Sequence, residues 1–191
     1  LQQFPNSITL FNIQGASNAG LGRLDAAIEA YNKALAIKPD YADAYNNMGI
    51  TLQEQGNLEE AIEAYNKALA IKPENAAAYY NMGNALKEHG KLEEAIEAYN
   101  KALAIKPAYV EAYSNMGNAL QEHGKLEEAI EAYKKALAIK PDYAQAYNNI
   151  GNALKEQGNL ERAIEAYNKA LAVKPDYAEA YSNMGVALKG V

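Results

Sequence analysis

Two hydrophobic patterns follow one another along the chain, and both have helical spacing. In residues 42–75 the first half places Tyr45, Met48 and Leu52 at i, i+3 and i+7, one stripe of a helix. The second half puts Leu58, Ala61, Ile62, Tyr65, Ala68 and Leu69 on one face. Between them stands Gly56, which takes positive φ without a Cβ clash and so supplies a turn. Pro73 then ends the second helix, because it lacks an amide hydrogen and its ring clashes with the preceding turn. The segment predicts a helix–turn–helix hairpin.

The hairpin recurs. Pro5, Pro39, Pro73, Pro107, Pro141 and Pro175 stand 34 residues apart, and a fixed period of this size denotes a stacked array. With the proline at position 32, complete repeats run over residues 8–41, 42–75, 76–109, 110–143 and 144–177, and 178–191 is half a repeat. Position 8 is Gly15, Gly49, Gly83, Gly117, Gly151 and Gly185, and position 20 is alanine from Ala27 to Ala163. These small residues mark close helix approaches. Tyr31, Tyr65, Tyr99, Tyr133 and Tyr167 recur four residues after the alanines. They explain much of a composition with 15 Tyr, 2 Phe and no Trp, as packing residues with the hydroxyl at the core edge. One hairpin cannot bury both its faces, whereas stacked neighbours can. Local signals agree. Asp40-x-x-Asp43, Asp142-x-x-Gln145 and Asp176-x-x-Glu179 have capping-box spacing or come close to it. Glu63→Lys67, Glu97→Lys101, Glu131→Lys135 and Glu165→Lys169 are i, i+4 pairs in the favourable order.

The period, the helix pair and the set Tyr45-x-x-Met48-Gly49-x-x-Leu52, Ala61-x-x-x-Tyr65 and Pro73 resemble the tetratricopeptide (TPR) repeat, with Tyr for the usual Trp and Met for Leu. The resemblance covers essentially the whole chain. It implies an all-α, right-handed superhelical solenoid of stacked antiparallel helix pairs, one array over residues 1–191.

Composition removes other classes. The 18 Lys+Arg against 24 Asp+Glu leave a net charge of −6, which disfavours nucleic acid. No cysteine is present, so neither a disulfide framework nor a thiolate cage is available. No apolar run is long enough for membrane insertion. His89 and His123 share position 14 beside the turn and read as exposed turn residues, since two ligands without a third make a weak metal site. Glu59-Glu60, Glu93-Glu94 and Glu127-Glu128 begin second helices, where the helix dipole favours them. No triad-like grouping or phosphate loop occurs. The expectation is a protein that is not an enzyme, has no metal or cofactor, and resides in the cytoplasm.

One pattern is not demanded by packing. Asn47, Asn81, Asn115, Asn149 and Asn183 occupy position 6 of five successive first helices, and Asn84, Asn118 and Asn152 occupy position 9 on the same face. Asparagine is a mediocre helix former and lies off the Tyr-Met-Leu stripe. In the TPR family, positions 2, 5, 6, 9, 12 and 13 of the first helix face the concave groove. The resemblance therefore implies an asparagine ladder along that groove, similar to the TPR arm of O-linked N-acetylglucosamine transferases. Such a ladder grips an extended chain through its backbone, because an amide both donates and accepts. A structural role, bonding neighbouring repeats, is the competing reading. Tyr80 at position 5, beside Ala77, offers an exposed aromatic anchor for an apolar side chain. TPR domains that clamp acidic chaperone tails carry cations at positions 2, 5 and 6. Here position 5 is Asn12, Asn46, Tyr80, Ser114, Asn148 and Ser182, so that role is rejected.

The expected function is a protein–protein interaction scaffold that binds an extended peptide in its concave groove. The alternatives are a substrate-presenting arm of a larger enzyme such as a glycosyltransferase, and a self-assembling scaffold. Leu1–Pro5 matches the tail of a preceding second helix, and Tyr181, Met184 and Leu188 line a first helix without its partner. The chain therefore reads as an excised fragment, with possible end-to-end self-association through its termini.

Overall fold

The computed structural model describes residues 7–190, and among them it forms helices and no strand. The chain divides into two compact units, Leu1–Ile105 and Lys106–Val191. The first unit contains α1 (Ile8–Gly20), α2 (Leu24–Ile37), α3 (Ala42–Glu54), α4 (Leu58–Ile71), α5 (Ala76–Glu88) and α6 (Leu92–Ile105). The second contains α7 (Val110–Glu122), α8 (Leu126–Ile139), α9 (Ala144–Glu156), α10 (Leu160–Val173) and α11 (Ala178–Leu188). In each unit consecutive helices form hairpins, and α2, α4, α8 and α10 each pack on the first helix that follows. The remnant of a preceding helix expected over Leu1–Pro5 lies outside the described residues. On α11, Tyr181 and Leu188 are 52% and 56% exposed.

Each hairpin is closed by an aromatic ring lying where a Cβ would otherwise stand. A Cβ on Gly49 would sit 2.6 Å from Cε1 of Tyr65, and one on Gly83 would sit 2.7 Å from Cε1 of Tyr99. Gly15, Gly117 and Gly151 stand in the same relation to Tyr31, Tyr133 and Tyr167. The five rings are buried among the position-20 and position-27 alanines, which are buried too. The turns are equally regular. Gly56 has φ of +80°, its N–H bonds to Gln53, and the Asn57 N–H reaches back to Leu52 at 2.9 Å. This is a Schellman motif, which requires the left-handed conformation glycine adopts freely.

Burying a phenol requires an acceptor for its hydroxyl. The hydroxyls of Tyr99, Tyr133 and Tyr167 donate to Oδ1 of Asn84, Asn118 and Asn152, each at 2.8 Å. The hydroxyls reach the core edge, as the sequence suggested, and half-buried asparagines of the first helices take them there. Position 9 of the second repeat is Ile50, and there the Tyr65 hydroxyl donates to Gln53 Oε1 at 3.2 Å. Burial pushes the Tyr167 phenol up to about 12, with the Glu156 carboxylate adding to it.

Two local expectations are corrected. The first concerns the capping boxes. Helices α3, α9 and α11 begin one residue later than the boxes require, with Tyr41, Tyr143 and Tyr177 at the N-cap and no side-chain cap bond. Asp40, Asp142 and Asp176 therefore lie outside the cap, while Asn75 does cap α5 by accepting from the Ala78 N–H at 3.1 Å. The second concerns the ion pairs. Glu63–Lys67 and Glu97–Lys101 form at 2.7 Å, but Glu131 pairs with Lys134 at 2.6 Å. Lys135 lies instead over the Tyr113 ring, 5.8 Å from its centroid.

Gly49→Ala should destabilise the protein by about 1–3 kcal/mol, because the added methyl meets a ring that cannot move outward. Gly185→Ala meets nothing within 4 Å and should stabilise α11 by about 0.5–1 kcal/mol through helix propensity. Denaturant titration of the two variants distinguishes close packing from a general glycine effect. An alkaline titration tests the buried phenols. A folded-state pKa above the ordinary value of 10.0 means that the contribution is complete below pH 10 and is lost as pH rises through about 12. Phenolate absorbance from position 24 should therefore grow together with loss of helical circular dichroism. Growth with helicity intact would show that the hydroxyls are accessible.

Candidate functional site

The first helices of each unit lie side by side, and their polar residues meet across the seams. In the first unit Asn47 Nδ2 donates to Asn12 Oδ1 at 3.2 Å, and Asn81 Nδ2 donates to Asn46 Oδ1 at 3.4 Å. In the second unit Asn183 Nδ2 donates to Asn148 Oδ1 at 3.1 Å. The rule is position 6 to position 5 of the preceding repeat. Asn149 departs from it because position 5 of that repeat is the buried Ser114; its Nδ2 donates instead to Asn118 Oδ1 at 3.0 Å. Asn148 is fully buried and also donates to Glu179 Oε1 at 3.0 Å.

These contacts change what the sequence said of the ladder. Asn47, Asn81, Asn115, Asn149 and Asn183 are half-buried between first helices. Asn84, Asn118 and Asn152, also half-buried, serve the core directly, contrary to the expectation that the core does not need them. A signal for this was present in the sequence: each stands 15 residues before a position-24 tyrosine. Tyr80 is not the exposed aromatic expected. It is half-buried and packs on Tyr99, with centroids 6.1 Å apart and rings tilted by 51°.

In the second unit Asn118, Asn149 and Asn152 come together around an open groove of about 500 Å³ between α7 and α9. Gln121, Glu122 and Glu156 complete the lining, and Gln121 Nε2 donates to Glu156 Oε1 across it. The sequence reading named the asparagines and passed over these three, although they hold the groove-facing positions 12 and 13. The carboxylates act on the phenol beneath: burial, then Glu156 and Glu122, push the Tyr133 hydroxyl well above its ordinary range. In the first unit Tyr65 is held up in the same way by burial and by Glu88 and Glu54. There Gln53 Nε2 donates to Glu88 Oε1 at 2.8 Å, the same position 12 to position 13 link.

Position 14 has a partner that the sequence did not reveal. Gln55 Nε2 donates to Asp25 Oδ1 at 2.8 Å, and Gln157 Nε2 donates to Glu127 Oε1 at 2.9 Å. His89 Nε2 faces Glu59 Oε1 at 3.7 Å. His89 and His123 are half-buried rather than exposed, and His89 faces the preceding second helix. Among the described residues no group of three or more His, Asp or Glu is placed to hold a metal ion, and no helix is long and apolar enough to cross a membrane.

The comparisons with known proteins agree with this architecture. A family profile described as TPR repeat matches residues 20–56, 51–90, 83–124, 122–158 and 151–190. No curated protein sequence matches significantly. Among solved structures, one of the MamA protein is 31% identical, with a TM-score of 0.82, covering 90% of this chain and 94% of that one. YrrB, described as a TPR protein with an unusual peptide-binding site, is 24% identical over 95% of this chain and 93% of its own, with a TM-score of 0.79. A thermophilic TPR protein of Thermus thermophilus is 23% identical over 96% of this chain and 100% of its own, with a TM-score of 0.68. The last two bear on the fold alone. The repeated profile matches, the 34-residue hairpins and the MamA likeness agree: the chain belongs to the TPR repeat family.

Proposed function

We propose that the chain is a protein-interaction scaffold that holds an extended polypeptide against its first helices and grips it through the main chain. The groove between α7 and α9 carries this reading: four amides and two carboxylates line it, with no apolar and no cationic side chain among the described residues. An apolar ligand finds no partner there. A peptide main chain, which offers a donor and an acceptor at each residue, matches amides that do the same. Asn149 commits one N–H to Asn118 and keeps a second N–H and its carbonyl oxygen for a ligand. Packed helices lie about 8–10 Å apart and an extended chain rises about 3.3 Å per residue, so one rung serves about every third peptide unit. The description of YrrB as a peptide binder points the same way.

Peptides selected from a displayed random library should bind the full chain. Asn149→Ala should weaken them at least about tenfold, equivalent to ~1.4 kcal/mol. Its effect on unfolding should be that of one hydrogen bond, about 0.5–1.5 kcal/mol. Unchanged affinity, or a stability loss as large as that of a core variant, would make the ladder a stacking device only.

A further inference from the structure

We propose that the second unit carries a separate docking site, a furrow between α8 and α10 that takes an acidic peptide segment by one large apolar side chain. Helices α8 and α10 each pack on α9 and, among the described residues, not on each other. The furrow left between them holds a cavity of about 200 Å³. Leu137, Tyr147, Ile150, Leu154 and Ala166 form its floor, all of them buried or half-buried. By helical spacing Tyr147, Ile150 and Leu154 stand on the face of α9 opposite Asn149, Asn152 and Glu156, so this is not the asparagine groove. Lys134 of α8 and Arg162 and Lys169 of α10 stand exposed at the mouth, with Glu165 as the one carboxylate among the described lining residues.

The repeats single this furrow out. Position 25 is Asn32, Asn66, Asn100 and Asn168 elsewhere, and Lys134 here. Position 19 is Ala26, Glu60, Glu94 and Glu128 elsewhere, and Arg162 here. Helix α8 departs from the sequence shared by α4 and α6 at Lys134 alone, and α10 departs from it only at Arg162 and Val173. Both charge-changing departures add positive charge, and both line one cavity. Arg162 lies in the first turn of α10, where the helix dipole disfavours a cation, so its own helix does not call for it. Lys169 departs in its contacts. Lys67 and Lys101 pair with Glu63 and Glu97 at 2.7 Å and lie over the Tyr45 and Tyr79 rings, 5.9 Å from each centroid. Among the described residues Lys169 makes neither contact, no cation covers the Tyr147 ring, and Arg162 has no ion pair or hydrogen bond. Lys134 pairs with Glu131 at 2.6 Å, so the charge on offer comes chiefly from α10.

Size and charge select the occupant. Small-molecule sites have volumes of about 300–1,000 Å³. This cavity is smaller and has room for one side chain, in the way an anchor residue fills a pocket at a protein interface. A Phe there meets aliphatic carbon and the open ring of Tyr147. The cations lie on both flanking helices, so carboxylates on both sides of the anchor each find one. A basic segment meets repulsion at the same places. The matching positions between α4 and α6 hold Asn66 and Glu94, with Lys101 already committed, so the first unit does not repeat the site.

Three labelled peptides test this against the full 191-residue chain by fluorescence anisotropy. The first carries a single Phe flanked on both sides by Glu among Gly and Ser; the second has Ala in place of the Phe; the third has Lys in place of every Glu. The first should bind at least about tenfold tighter than either of the others, with affinity falling as salt rises. K134N/R162E restores residues that other repeats carry at those positions, so its melting temperature should stay level or rise. Its affinity for the first peptide should fall at least about tenfold. Equal binding of the first two peptides would overturn the cavity as an anchor site. Preference for the lysine peptide would overturn the acidic partner. Affinity retained in K134N/R162E would place binding elsewhere and overturn the site, and so would no binding of the first peptide up to about 1 mM.

Discussion

The tyrosine ring against the position-8 glycine is the contact from which the rest of each hairpin follows. It fixes how closely the two helices approach, since a side chain at Gly49 or Gly83 would occupy the ring's own space. It also draws a phenol hydroxyl into a place without water. That hydroxyl needs an acceptor, and in three hairpins their own first helix supplies it. Asn84, Asn118 and Asn152 meet the need. The polar face of the first helix is thereby tied to the core. What looks like a surface asparagine ladder is partly a consequence of burying a tyrosine.

The stack is held by two kinds of force with different consequences. Burial of Ala, Leu and Tyr between hairpins supplies most of the stability, but it is non-directional and tolerates sliding. The polar links between repeats are each modest, roughly 1 kcal/mol, yet they have fixed partners. Within the units, position 6 reaches position 5, position 12 reaches position 13, and position 14 reaches position 18. A slip of one residue would break all three together. Register is therefore set by polar side chains, and cohesion by apolar ones.

This division explains which parts were legible in the sequence. The hairpins, turns and close approaches could be read because they depend on residue types with strong local meaning: Gly, Pro and the apolar period. The asparagine roles could not be read from a single repeat, since their partners lie 15, 31 or 35 residues away. Asn149 shows the difficulty. It keeps its position yet changes partner, because the residue it would meet in the preceding repeat is Ser114. The caps failed for a different reason. Asp40 has the right spacing, but the chain turns into α3 at Tyr41, and the cap side chain is displaced by one residue. His89 looked isolated because its partner, Glu59, had already been accounted for by the helix dipole.

Differences among the repeats bear on where the chain does its work. Helices α4 and α6 have the same sequence, LEEAIEAYNKALAI, and α8 differs from them at one residue. Their partners α3, α5 and α7 differ from one another at several positions on the groove side, including Asn46, Tyr80 and Ser114 at position 5. A second helix packs on its own first helix and on the first helix of the next repeat in its unit, so a change on those faces disturbs two junctions at once. A first helix touches the first helices before and after it in its unit, and like a second helix it keeps one uncovered face. Part of that face serves the stack, as Asn46 and Tyr80 do, and its C-terminal end carries glutamates that the helix dipole disfavours. The variation at position 5 is thus tied to the stack: Asn46 accepts from Asn81, Tyr80 packs on Tyr99, and the buried Ser114 sends Asn149 to Asn118 instead.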